Sequence, residues 1–152
     1  MKYINIFLLT LLSSLAFSEF KFQQTVVKVV DGDTIHLQNK SGHYKLRLTE
    51  IDAPEINQPY GLDSKEYLIK LLKDGKVDVN ILGEDRYGRY LGRLYLNGQD
   101  INKLMIIDGM AWCYLQYSKD PTFLVEQNKA KNNKTGLWKQ KNPLEPWIWR
   151  KK

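Results

Sequence analysis

Residues 22–55 read FQQTVVKVVDGDTIHLQNKSGHYKLRLTEIDAPE and decide the fold. Segments 22–30 and 33–39 are rich in β-branched residues, so each predicts a strand. A turn at 39–42 leads into a segment, 43–51, in which apolar and polar residues alternate, and this predicts a third strand. Three consecutive strands with short connections therefore open the domain.

After this stretch the spacing of apolar residues changes from that of a strand to that of a helix. Leu68, Leu71 and Leu72 follow helical spacing and predict a helix over 62–74. Asp63 and Glu66 are spaced as a capping box at its start. Gly75 is expected to end this helix.

The rest of the chain predicts two more strands and two more helices. The strands are expected at 77–81 and 89–96, and the helices begin at Asp100 and at Asp120-Pro121. The tail, 138–152, is predicted to be irregular and held to the barrel by its tryptophans, Trp138, Trp147 and Trp149. This order predicts an α+β protein, mainly β: a five-stranded OB-fold barrel with three helices.

Composition bounds the remaining possibilities. Residues 1–18 have a basic start, a short apolar run and small residues before Glu19, which predicts a cleaved signal peptide and a secreted or periplasmic domain at 19–152. Removal of Lys2 lowers the net charge from +6 to +5, which still favours polyanionic partners. The single cysteine, Cys113, excludes an internal disulfide, and no Cys or His pair is spaced for zinc. We expect a monomer without stable membrane insertion.

Two acidic clusters contain the candidate metal-binding and catalytic residues. Asp31-Gly32-Asp33 and Asp52-Ala53-Pro54-Glu55 supply carboxylates and a backbone carbonyl, the oxygen ligands that calcium prefers. Magnesium and manganese are not excluded by ligand type. Because Asp, Gly and Pro are common in turns, either cluster alone would indicate no more than a surface turn.

Two arginines accompany these clusters. Arg47 lies within the third predicted strand, between the clusters, and Arg89 follows the run Asp85-Arg86-Tyr87-Gly88. A guanidinium group fits phosphate oxygens in a two-pronged way, and a buried arginine requires a paired anion. Carboxylates and arginines together favour a phosphoryl-transfer site.

These motifs, taken in order, resemble the staphylococcal (micrococcal) nuclease family. The resemblance rests on Val30–Thr34, Leu46–Leu48, Ile51–Glu55 and Asp85–Arg89, and it extends over about residues 23–138. It implies an OB-fold and calcium-dependent cleavage of DNA and RNA that leaves 3′-phosphate ends.

The resemblance also implies residue roles. Asp33, Asp52 and the Ala53 carbonyl would bind one calcium ion, with Asp31 behind them. Glu55 would act on the attacking water, and Arg47 and Arg89 would hold the phosphate. Nucleic acid would also meet Arg86, Tyr87 and Tyr117.

The chain departs from the family's type member in three places, one of which is a shorter loop after Glu55 that passes through 58–61 directly into the helix. Ala53 replaces a threonine, and Tyr114 and Tyr117 stand three apart instead of two, so they would not share a face of an extended segment. Two alternatives remain open: a non-catalytic OB-fold nucleic-acid-binding module, and a structural calcium-binding module, which would need the acids but not the arginines.

Overall fold

The computed structural model describes residues 23–152, so the predicted signal peptide, 1–18, lies outside the described residues. The strands are β1 Gln24–Val29, β2 Thr34–Asn39, β3 Gly42–Leu48, β4 Ile51–Asp52, β5 Lys76–Glu84, β6 Tyr90–Leu96, β7 Gln99–Asp100 and β8 Trp112–Cys113. The helices are α1 Gly61–Leu71, α2 Ile101–Ile107, α3 Pro121–Asn132, a 3-10 helix Gly136–Lys139 and α4 Pro146–Trp149.

Five strands close into a barrel. They are hydrogen-bonded in the order β3-β2-β1-β5-β6, and a parallel pairing of β3 with β6 joins the two ends. This closure confirms the predicted α+β, mainly β, OB-fold architecture. The short strand β7 adds to β6, while β4 and β8 form a separate two-stranded ribbon.

The interior of the barrel follows the period of two that the sequence predicts. Alternate residues of β2, β3 and β6 point inward and are fully buried, and they pack against side chains from the helices. The central residues of this core are Ile35, Leu37, Leu46, Leu48, Leu68, Leu94, Ile101, Met105 and Phe123.

The predicted third strand, 43–51, is wrong at its end. Strand β3 stops at Leu48, and Glu50 adopts a positive φ of 67° that redirects the chain into β4. The Glu50 carboxylate stabilises this turn because it binds the Arg93 guanidinium and accepts hydrogen bonds from the backbone N–H groups of Lys119 and Asp120. Strand β4 then pairs with β8 instead of joining the barrel.

Helix caps were partly predictable. Asp100 caps α2 by accepting from the Lys103 N–H, and Asp120 caps α3 by accepting from the Thr122 N–H, at the two positions where these helices were predicted to begin. The capping box predicted at Asp63 is wrong, because α1 begins after Tyr60 without a side-chain cap. That helix ends at Leu71, before Gly75, and α3 ends at Asn132.

The tail is more ordered than predicted. It contains the 3-10 helix and α4, and its aromatic rings form a second apolar cluster with β8 and α3. Trp112 makes edge contacts with Trp138 at 4.4 Å and with Trp147 at 5.9 Å between ring centroids. Aromatic packing therefore fixes the tail against β8, as expected for Trp138 and Trp147, whereas Trp149 is held by a hydrogen bond to Asn57 Oδ1.

Two smaller observations concern the cysteine and the length of the helices. Cys113 is buried, as predicted for an inert thiol. Within residues 23–152, none of the helices has the length and apolar character needed to span a bilayer.

Candidate active site

The first acidic cluster forms a bend between β1 and β2. A side chain at Gly32 would meet Ser64 Oγ of α1 at 1.9 Å and Ala53 Cβ at 2.7 Å, so only glycine permits this close approach. The Asp31 carboxylate accepts from the Asp33 N–H at 3.0 Å and stabilises the bend. The bend therefore brings Asp33 against the second cluster.

The two clusters meet as predicted. The Ala53 N–H donates to Asp33 Oδ2 at 2.6 Å, although the residues are twenty positions apart. Asp33 and Asp52 are both buried. Carboxylates from two distant segments thus share one small volume beneath the protein surface.

Arg47 joins these carboxylates. Its Nη2 lies 3.1 Å from Asp33 Oδ2 and 2.9 Å from Asp52 Oδ1, and its Nη1 donates to the carbonyls of Leu48 and Ile51. The Arg47 side chain is 13% exposed. A single guanidinium therefore contacts both buried carboxylates while keeping an edge toward solvent.

The environment of Asp33 opposes its ionisation. Burial raises the pKa of Asp33 to about 7, and the negative charges of Asp31 and Asp52 add to the effect. Arg47 and the Ala53 N–H act in the opposite direction. A raised pKa at a buried carboxylate beside other carboxylates is typical of a functional site.

Glu55 lies just after this centre, on a tight turn. Its N–H donates to Gln58 Oε1 at 3.1 Å, and a side chain at Gly61 would meet its carbonyl oxygen at 1.8 Å. The start of α1 therefore packs directly on the turn. The Glu55 carboxylate is about one-third exposed and can reach both the cluster and solvent.

Arg150 also belongs to this site, and sequence reasoning missed it. Its Nη1 lies 2.7 Å from Glu55 Oε1, and its Nη2 lies 2.7 Å from Asp52 Oδ2. The two contacts span 95 and 98 positions of sequence. No local pattern in the tail indicates such a long-range contact.

Arg89 lies at the turn of the hairpin that β5 and β6 form. Arg89 Nε donates to Asp85 Oδ2 at 2.8 Å, and Arg89 also lies over the Tyr87 ring. Between residues 23 and 152, the structure records no contact of Arg89 with Asp33, Asp52 or Glu55. Its turn nevertheless enters β6 beside β3, where Leu91 pairs with Arg47.

The side chains predicted to meet nucleic acid lie at the surface. Tyr87 and Tyr117 are 68% and 62% exposed, and Arg86 packs over the Tyr87 ring at 4.9 Å. These side chains are accessible for stacking on bases or binding phosphates.

The expectation that Tyr114 and Tyr117 lie on different faces is wrong. Residues 114–118 form a turn, in which the N–H groups of Tyr117 and Ser118 donate to the Tyr114 carbonyl. The two rings therefore meet at 4.9 Å, and Tyr114 stacks on Trp147 at 5.3 Å. The extended geometry assumed from the sequence does not apply to a turn.

The donor set fits a hard cation in type. Among residues 23–152 there is no group of three or more His, Cys, Asp or Glu side chains arranged to hold a metal. Asp33 and Asp52 are two buried carboxylates, and the Ala53 carbonyl would have to supply a third ligand. Oxygen donors of this kind suit calcium or magnesium, which also accept water ligands.

Comparison with known proteins agrees with this geometry. Residues 45–140 match the family described as staphylococcal nuclease homologue. The chain belongs to the staphylococcal nuclease family. Membership of this family identifies it as a nuclease, a hydrolase of nucleic acids. The matched region contains Arg47, Asp52, Glu55 and Arg89, whereas Arg150 lies beyond it.

Individual relatives cover most of the chain. An uncharacterized endonuclease of Escherichia coli O157:H7 is 44% identical over 126 residues, which is 82% of each protein. An uncharacterized endonuclease of Haemophilus influenzae is 45% identical over 127 residues, 83% of this chain and 71% of that protein. A staphylococcal-like nuclease of Arabidopsis thaliana is 38% identical over 108 residues, 71% of this chain and 33% of that protein.

Proposed function

We propose that this nuclease is an exported, calcium-dependent enzyme that hydrolyses phosphodiester bonds of DNA and RNA with little sequence specificity and leaves 3′-phosphate ends. One observation carries the proposal: Arg47 Nη2 contacts both Asp33 and Asp52 in one buried cluster. Such a cluster offers oxygen ligands to a cation and a guanidinium to an anion. A cation–phosphate pair satisfies both.

The cation would be held by Asp33, Asp52 and the Ala53 carbonyl. Calcium bound there would supply a Lewis acid that offsets negative charge on the phosphate. Burial of both carboxylates strengthens the attraction between cation and phosphate, because water screens charges less at a buried site.

Glu55 would act as the general base. Its carboxylate takes a proton from a water molecule, the water oxygen bonds to phosphorus, and the bond from phosphorus to the 5′ oxygen breaks. The 5′ oxygen then takes a proton from solvent. A positioned base contributes on the order of 10²–10⁴-fold to the rate.

The two arginines of the motif would stabilise the charge that builds on the phosphate. Arg47 lies beside the carboxylates and keeps an edge toward solvent. Within residues 23–152, the recorded side-chain hydrogen bond of Arg89 runs from Nε to Asp85, so its two terminal nitrogens would be the groups that approach a phosphate. Donors placed in advance in this way stabilise the transition state more than the ground state.

Contacts around the scissile phosphate would hold nucleic acid without reading its sequence. Arg86 would bind a neighbouring phosphate, and Tyr87 and Tyr117 would stack on bases. Stacking tolerates every base, and phosphate contacts weaken with salt. We also propose that the enzyme acts as a monomer.

Export would follow removal of residues 1–18. The support is the order of basic start, short apolar run and small residues before Glu19. N-terminal sequencing of the protein recovered from the periplasm or medium should begin at Glu19. Recovery of intact Met1 in the cytoplasm would contradict export.

Digestion of DNA and RNA by the purified protein tests the catalytic proposal. Cleavage should require calcium, stop with chelator and yield 3′-phosphate ends, and Glu55→Gln should lower kcat at least a hundredfold. Glu126→Gln, a surface change in α3, serves as the matched control. Binding of nucleic acid without cleavage by wild type would favour the non-catalytic module instead.

A further inference from the structure

The C-terminal tail returns to the turn that carries Glu55. Gln58 Nε2 donates to the Leu144 carbonyl at 2.7 Å, and Trp149 Nε1 donates to Asn57 Oδ1 at 3.2 Å. Together with the stacked rings of Trp147 and Tyr114, these contacts fix residues 144–149 beside the site. The position of the next residue, Arg150, is therefore set by the packing of the tail.

Arg150 grips two carboxylates at once. Its Nη1 and Nη2 bind Asp52 Oδ1 and Oδ2 at 3.1 and 2.7 Å in the two-pronged manner of a fork. Its Nη1 also bonds to Glu55 Oε1 at 2.7 Å. One guanidinium thus ties the Glu55 carboxylate to a buried, fixed neighbour.

Glu55 depends on this contact for its orientation. Among the described residues, Arg150 is the recorded hydrogen-bond donor to the Glu55 carboxylate, and the side chain is otherwise partly exposed. A long side chain at the surface samples several rotamers unless a partner holds it. Partly exposed ion pairs contribute little to stability, so the contact matters more for geometry.

We propose that Arg150 is a positioning residue that holds the Glu55 carboxylate beside Asp52, so that Glu55 is aimed at the attacking water. The inference rests on the proposed function, because it assigns Arg150 a task within that site. Arg150 does not need to touch substrate to act in this way. It would be a part of the active site that the tail supplies from outside the matched family region.

The test compares Arg150→Gln with Arg150→Lys, and with Lys151→Gln as a charge-matched neighbour. Arg150→Gln should lower kcat about 10–100-fold, as for other groups that orient an active-site side chain, with little change in KM. Arg150→Lys, which keeps the charge but not the fork, should recover part of the loss. Lys151→Gln should keep wild-type kcat.

A double mutant separates positioning from a merely structural role. If Arg150 acts through Glu55, Arg150→Gln should cause no further loss of single-turnover rate in the Glu55→Gln background. Calcium affinity, measured by calorimetry without nucleic acid, should not fall in Arg150→Gln, because the variant removes a positive charge from the Asp52 carboxylate. The Tm of each variant checks that the fold is retained.

Several results would overturn the inference. Raised KM with normal kcat would make Arg150 a substrate-binding residue, and tighter calcium binding with normal or higher kcat would make it a competitor of the cation. Additive losses in the double mutant would separate Arg150 from Glu55. If the wild-type protein does not cleave nucleic acid in calcium, the proposed function itself fails. If the wild type is active and Arg150→Gln has normal kcat, only the inference about Arg150 fails.

Discussion

Arg47 and Arg89 have the same proposed catalytic role but lie in two very different regions of the molecule. Arg47 lies in the floor of the site, which is the buried cluster of Asp33, Arg47 and Asp52. Its side chain is 13% exposed and contacts both carboxylates. Arg89 lies in an exposed hairpin, 31% exposed, and contacts Asp85. A shared proposed role in catalysis therefore need not mean a shared role in folding.

The largest expected effects come from removing these arginines one at a time. Arg47→Ala and Arg89→Ala should each lower kcat about 10²–10³-fold, since each removes a donor to the transition state. Arg47→Ala should also cost on the order of 3 kcal/mol of stability, because it breaks a buried ion pair. Arg89→Ala should cost less than about 1 kcal/mol, as surface pairs do.

Steady-state kinetics and urea unfolding of both variants measure the two effects. Lys40→Ala, at an exposed turn, provides the control. Equal losses of stability in the two arginine variants would contradict the contrast between floor and hairpin. Normal turnover in either variant would remove that arginine from the proposed chemistry.

A second effect is expected at Asp33, in the floor. Its folded-state pKa of about 7 lies above the ordinary 3.8, so the unfolded chain releases this proton first as pH rises. The stability contributed by Asp33 is therefore fully present below about pH 4 and is lost between pH 4 and 7. Asp33→Asn should thus be more stable than wild type at pH 8 in chelator.

Urea unfolding at pH 8 and pH 4 measures this difference, which should shrink toward the lower pH. The matched control is Asp74→Asn, an exposed carboxylate in the turn after α1, which should change stability little. A less stable Asp33→Asn at pH 8 would show that its hydrogen bond and ion pair outweigh its burial. The predicted gain in stability on removing this charge would mean that the Asp33 carboxylate serves function at a cost in stability.

The smallest effect is expected at Ser64, which packs under the first acidic bend. Its hydroxyl is buried without a hydrogen-bond partner among the described residues. Ser64→Ala removes this unsatisfied group and should leave stability unchanged or raise it by up to about 1 kcal/mol. A loss above 1 kcal/mol in thermal unfolding would indicate a hydrogen bond at this hydroxyl.

The floor of the site and Glu55 were predictable because their residues lie in short motifs. Asp33, Arg47, Asp52 and Glu55 fall within 23 positions of the chain, and alternation along the strands and the close approach at Gly32 bring them together. The barrel was predictable for the same reason, because period-two alternation in each strand reports the buried face.

The features that escaped prediction depend on contacts that are distant in sequence. Arg150 reaches Glu55 through a tail that packs on Trp112 and Tyr114. The end of β3 is set by Glu50, whose carboxylate binds Arg93 forty-three positions away. Local propensity carries no information about such partners, so tertiary packing decided both.

Calorimetric titration of calcium into the purified wild type and Asp52→Asn tests the central claim most directly. The claim is that the buried carboxylates joined by Arg47 form the cation site. One calcium ion should bind per wild-type chain, and Asp52→Asn should lose that binding while remaining folded. Wild-type calcium affinity in folded Asp52→Asn would contradict the account.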